Sequence, residues 1–179
     1  MPHHKRLLPR LPMFAALLLL AACASEPKIL VPEHESAEKQ FAFALNNEMR
    51  TASVPTSERE KLFPYVAEPY EEVIRRYPDD KQYTPQAILR LGDLYRNVRK
   101  DHKKAIKYYE RARKGYADND AVQIYAKLSR AKCLETLGKK VEARAIYKEC
   151  YELYAGHPDK KIQEQVKEAR MLYNRVIKE

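Results

Sequence analysis

Cys133 and Cys150 are the most reactive side chains in the body of this 179-residue sequence, and they fall on consecutive predicted helices. In an oxidising compartment they could form a disulfide if their Cα atoms approach within about 7 Å, a bridge worth roughly 3 kcal/mol. Alternatively they are two reduced core thiols standing where small packing residues would. His102 and His157 both sit at turns, with no Cys or His nearby at ligand spacing, so no metal site is expected. Four glycines form no phosphate loop, and no G-x-S-x-G motif presents a nucleophile. Glu71 and Glu72 are adjacent on a helix, point in different directions and read as solvated surface. No base is placed beside a nucleophile, so the chain is not expected to be an enzyme.

The densest charge is basic: Arg96, Arg99, Lys100, Lys103, Lys104, Lys107, Arg111, Arg113 and Lys114. Around Arg99, Lys100, Lys103, Lys104 and Lys107 it reads either as a solvated face or as a docking patch for an anionic partner, weakened by salt.

The first residues have the form of an export signal. Lys5, Arg6 and Arg10 precede an apolar run from Leu11 that is interrupted by Pro12 and ends in Ala21 and Ala22. That run is near half the roughly 20 residues a membrane-spanning helix needs. Leu20, Ala21, Ala22 and Cys23 resemble the lipobox of bacterial lipoproteins. The resemblance implies cleavage after Ala22 and a covalent lipid on Cys23, with no other cofactor. Several acyl chains, at about 0.8 kcal/mol per buried methylene, would make attachment practically permanent. Ala24 and Ser25 follow the cysteine instead of the Asp that commonly retains lipoproteins in the inner membrane. In a Gram-negative cell this favours the outer membrane, facing the periplasm.

Residues 23–35, broken by Pro27 and Pro32, suit an extended tether. Loss of residues 1–22 lowers the formal charge from +9 to +6, because they hold three basic residues and no acidic ones. A pI near 9.4 would ordinarily suggest nucleic acid. An exported lipoprotein does not meet it, so anionic lipid, glycan or acidic protein surfaces are the expected partners.

The remaining length suits one helical domain over 36–179. Its organisation is periodic: Tyr70 and Tyr77 recur as Tyr109 and Tyr116, then as Tyr147 and Tyr154, at shifts of 39 and 38. Val66, Ala105 and Ala143 lead the pairs, and Val73, Ala112 and Cys150 fall within them. Such a period marks stacked supersecondary units. The extra residue of the longer shift falls in the basic turn near Lys100.

Helical periodicity predicts seven helices in antiparallel pairs, the last unpaired, with no strand. The first covers Ser36 to Arg50, and a break over Thr51 to Thr56 follows. Ser57 and Glu60 form a candidate capping box, and Pro64 should restart or kink the second helix. Asp79 and Asp80 end that helix, and Pro85 sits in the first turn of the third. His102 to about Gly115 forms the fourth, burying Ala105, Ile106, Tyr109 and Ala112. Asp118, Asn119 and Asp120 are candidate caps for the fifth, and Gly138 ends it. Lys140 to Tyr154 and a helix from about Asp159 complete the set.

The stretch Ala87, Ile88, Leu89, Arg90, Leu91, Gly92, Asp93, Leu94, Tyr95, followed by Ala105, Tyr109 and Ala112, resembles the tetratricopeptide repeat. Two helices can cross closely only where side chains are small, with rings filling the flanks. The best matches are 85–119 and 124–158, though Leu134 and Cys150 depart from the pattern in the second. Together with Cys23, the chain is similar to tetratricopeptide lipoproteins of the outer membrane, such as the BamD subunit of the β-barrel assembly machine, type IV pilotins and Tol-Pal-associated factors.

That resemblance implies an all-α solenoid of about seven helices whose first helices line a concave groove. Gln86, Leu89, Asp93, Arg96, Tyr125, Leu128 and Lys132 would then contact a protein partner. The implied function is a membrane-anchored periplasmic scaffold for protein–protein interaction in envelope assembly. The alternative is direct binding of an anionic non-protein ligand, peptidoglycan or lipopolysaccharide.

Overall fold

A computed structural model describes residues 29–178, and among them seven helices account for nearly all the chain. They are α1 (Ala37–Ala52), α2 (Thr56–Arg76), α3 (Tyr83–Asn97), α4 (His102–Gly115), α5 (Asp120–Thr136), α6 (Lys140–Leu153) and α7 (Lys160–Lys178). Each packs on the next, so the pairs α1/α2, α3/α4 and α5/α6 stack in sequence. Short connections force each helix back along its predecessor. The first helices also touch across pairs, α1 with α3, α3 with α5, and α5 with α7. The leader of residues 1–22, Cys23 and the first part of the tether lie outside the described residues.

The tyrosine repeat is the core. Tyr70, Tyr109 and Tyr147 are each 0% exposed, and each donates a hydrogen bond to a carboxylate on the preceding helix: Glu48, Asp93 and Glu135. An arginine faces each carboxylate, Arg90 at 3.7 Å, Arg96 at 3.2 Å and Arg175 at 2.6 Å. Every pair therefore repeats one tyrosine, carboxylate and arginine set at its crossing. Gly92 makes room for the middle ring: a Cβ there would lie 2.5 Å from Tyr109 Cε1.

The second tyrosines end the second helices. Tyr77, Tyr116 and Tyr154 are the C-caps of α2, α4 and α6. Their carbonyls accept hydrogen bonds from Thr84 Oγ1 (2.6 Å), Gln123 Nε2 (2.9 Å) and Gln163 Nε2 (3.3 Å) at the start of the following helix. Asp80, Asn119 and Asp159 accept from backbone N–H groups of that same turn. Carbonyls left over by one helix and amides left over by the next are thus satisfied together. Asp80 begins α3 instead of ending α2.

The turn before α4 is one residue longer than the turn before α6, and Lys100 within it adopts φ 54°, in the left-handed region. The shorter turn uses Gly138 there, at φ 78°.

Several expectations are corrected. α2 runs uninterrupted through Pro64 and Pro69. A proline inside a helix costs about 3 kcal/mol, but burial of Phe63, Val66, Ala67 and Tyr70 along one face of α2 holds it helical. Ser57 and Glu60 form no capping box: Pro55 is the N-cap, and its carbonyl receives the Glu58 and Arg59 N–H groups. Ile106 is half-buried, because it sits between two core clusters.

The described part of the tether, residues 29–35, is fastened to α1 and α2. The Pro32 carbonyl accepts from Gln40 Nε2 at 3.2 Å, the His34 N–H donates to Gln40 Oε1 at 3.0 Å, Arg76 pairs with Glu33, and Tyr77 donates to the His34 carbonyl. Glu72 is buried, not solvated: Arg75 and Arg76 both bind it, while Glu71 accepts from Tyr108. Burial alone would raise the Glu72 carboxyl, but the two guanidinium groups outweigh it and hold it below the usual range.

Cys133 and Cys150 are free thiols, both fully buried. Cys133 belongs to the cluster shared with α3 and α4, and Cys150 to the cluster shared with α6 and α7, so the bridge is not formed. Burial pushes the thiols up to about 11 and about 12.

Candidate functional site

Asp93 shows how the first helices are held. From the middle of α3 it accepts hydrogen bonds from Tyr109 on α4 and Tyr125 on α5, and pairs with Arg96 one turn along. Burial first, and the Asp93 charge second, push both phenols well above the ordinary tyrosine value. Arg96 donates from Nε to Asn97 at 3.1 Å and lies 6.0 Å from the centre of the Tyr109 ring. Its Nη1 is buried and finds no acceptor among the described residues.

That guanidinium opens into a cleft of about 330 Å³ crossing α3, α5 and α7. Arg96, Tyr125, Leu128 and Lys132 line one side; Lys161, Glu164, Gln165 and Glu168 of α7 close the other. Lys132 is bound to Glu168 at 2.7 Å, tying the walls together. Gln165 Oε1 is likewise buried without a hydrogen-bond donor among the described residues. Arg96 and Gln165, each carrying one buried polar atom without a partner among the described residues, thus line opposite walls of the same cleft.

Four of the seven groove residues therefore come together. Leu128 is a core residue at 2% exposure, contributing an apolar floor. The other three do not line the cleft. Gln86 is exposed at the start of α3 and donates to the Gln82 carbonyl, Leu89 packs on the core, and Asp93 is occupied by its two tyrosines. The α7 wall was missed. A signal was available, since the 40-residue spacing from Asn119 to Asp159 carries Tyr125 onto Gln165 and Leu128 onto Glu168.

The basic patch is partly packed away. The Arg99 guanidinium lies 4.5 Å from the Phe63 ring centre and 3.7 Å from Glu60, and Lys104 lies 4.2 Å from the Tyr95 ring centre. Lys100, Lys103 and Lys107 are exposed.

The cleft can hold a ligand but offers no reacting pair. Among the described residues no cluster of His, Cys, Asp or Glu is arranged to hold a metal, and no helix is long and apolar enough to cross a membrane. Arg96 Nη1 could donate to an acceptor and Gln165 Oε1 could accept from a donor.

No curated protein and no solved structure matches the chain. Residues 86–119 match the family described as tetratricopeptide repeat. That span covers most of α3, all of α4 and the turn into α5, so the chain carries a tetratricopeptide repeat at the centre of its helical stack.

Proposed function

We propose that this protein is an interaction scaffold that grips a peptide segment of a protein partner in the cleft between α3, α5 and α7. The observation that carries this is that Arg96 and Gln165, which line opposite walls of one cleft, each hold a buried polar atom without a partner among the described residues, Nη1 and Oε1. An unmet buried hydrogen-bonding group costs about 1–3 kcal/mol, and a ligand that supplies the missing partner recovers it. A photo-crosslinking amino acid at Lys161 tests the site in cells. Protein adducts that disappear in Arg96→Ala support it; adducts indifferent to that change, or none, refute it.

We further propose that the scaffold works from the cell envelope on a lipid carried by Cys23, at the periplasmic face of the outer membrane, in envelope assembly. Support comes from the lipobox-like residues before Cys23 and the Ala24 and Ser25 that follow it. Mass analysis of the mature N-terminus decides it: an unmodified chain beginning at Met1 removes the anchor, while diacylglycerol on Cys23 supports it.

The exposed Lys100, Lys103 and Lys107 favour a second reading, direct binding of an anionic envelope polymer. Co-sedimentation with purified peptidoglycan, compared between the wild type and a variant with all three changed to Glu, tests this. Pelleting that survives the triple change eliminates the patch.

A further inference from the structure

The pairs α3/α4 and α5/α6 repeat the same tyrosines but differ in what stands beside the second one. In α5/α6, Lys127 binds Glu149 at 2.7 Å and lies 5.8 Å from the centre of the Tyr154 ring. A shift of 39 carries Ile88 onto Lys127, and a shift of 38 carries Arg111 and Tyr116 onto Glu149 and Tyr154. In α3/α4 those three residues come together as well, lining one cavity. There the lysine is replaced by an apolar side chain and the carboxylate by a guanidinium, so no ion pair closes the space. It stands open, with a volume of about 310 Å³.

The end of α2 and the turn after it supply the other wall, through Ile74, Pro78, Asp79 and Lys81. Ile74 and Ile88 are buried members of the core cluster and make the lining apolar where they meet. Lys81 lies over the Tyr116 ring, 5.9 Å from its centre, which keeps the ammonium group beside the cavity. Asp79, Lys81 and Arg111 form no ion pair among the described residues. Two positive charges and one negative leave the lining with a net charge of one positive. A single carboxylate neutralises it.

We infer that this cavity receives an acidic side chain, Glu or Asp, from a protein partner. The incoming carboxylate meets Arg111 and Lys81, and the rest of the side chain lies on Ile74 and Ile88, so the partner supplies the counter-charge that α5/α6 carries internally as Lys127 and Glu149. Asp79 makes a group of higher negative charge, such as phosphate, a poorer match than one carboxylate. The cavity shares no residue with the α3, α5 and α7 cleft. The inference therefore depends on neither the peptide reading of that cleft nor the lipid on Cys23.

Isoleucine methyl NMR spectra of the protein, titrated with the tripeptide acetyl-leucyl-glutamyl-leucine amide, test the site. The Ile74 and Ile88 signals should shift with added peptide, while that of Ile162 on α7 stays in place. Replacing the glutamate of the peptide by glutamine should raise the half-saturating concentration at least about fivefold. Arg111→Gln, a change at an exposed side chain, should do the same. Lys103→Gln removes the same charge from the same helix outside the cavity and should leave binding unchanged. No shift at either isoleucine overturns the proposal, as do equal affinity for the two peptides or equal loss in the two variants. Larger shifts with inorganic phosphate than with the peptide also overturn it, in favour of a phosphate-bearing ligand.

Discussion

The Tyr109 hydroxyl on α4 donates to Asp93 on α3 at 2.8 Å, the middle member of three equivalent tyrosine–carboxylate pairs that pin each second helix to its first. Asp93 also receives Tyr125 from α5, so it joins three helices. Its side chain is 13% exposed. Asp93→Ala leaves two buried hydroxyls without their acceptor and Arg96 without its counter-charge, and should cost about 2–4 kcal/mol. Asp93→Asn retains an acceptor and should cost less. Urea denaturation of the two variants measures the difference, and equal losses would contradict this role.

Gly92→Ala gains helix propensity of about 1 kcal/mol but drives a methyl into the buried Tyr109 ring, a conflict worth about 1–3 kcal/mol, so the net change should be destabilising. Gly115→Ala meets nothing within 4 Å and should be neutral or stabilising. Melting temperatures of the pair should therefore move in opposite directions, or only the first should fall.

Alkaline pH should unfold the protein. Burial raises the phenols of Tyr70, Tyr109, Tyr125 and Tyr147, and carries Tyr154 to about 12, all above the unfolded value near 10. The folded state therefore binds more protons than the unfolded one once the pH passes the unfolded value. The stability these groups contribute is complete below about pH 10 and declines as pH climbs toward their folded values. Circular dichroism across pH 8 to 12, read beside tyrosinate absorbance, should show loss of helix together with late tyrosine ionisation. Complete ionisation near pH 10 with the helices intact would be the contrary result.

Cys133 and Cys150 should resist thiol reagents at neutral pH in the native protein and react in denaturant without any reductant, because both are buried and little thiolate forms. Counting alkylated residues by mass spectrometry checks this. An unreactive pair in denaturant would establish a disulfide instead.

Lys100→Gly should stabilise the protein by up to about 1 kcal/mol, because glycine tolerates the left-handed backbone that lysine adopts at φ 54° and loses only part of that gain to chain entropy. Gly138 occupies the equivalent place in the next pair. A lower melting temperature in the variant would show that the turn relies on the lysine side chain.

The tyrosine period and the small residues at Ala105, Ala112 and Ala143 were enough to establish the all-α class, the pairing and most helix boundaries. These are local or periodic properties, and α4 begins at His102 as the periodicity predicts, with Asp101 as its N-cap in the structure. Tertiary packing decided what local rules could not. Pro64 lies inside an unbroken helix because burial around it outweighs a local penalty. Glu72 is buried because Arg75 and Arg76 satisfy it, and Cys133 and Cys150 face different clusters. The cleft itself depends on α5 packing against both α3 and α7, which brings Arg96 and Gln165, about 70 positions apart, to the lining of one cavity. Sequence spacing orders residues along one helix face, whereas the distance between faces is set by how side chains pack between helices, and only that packing puts Arg96 and Gln165 on the walls of one cleft.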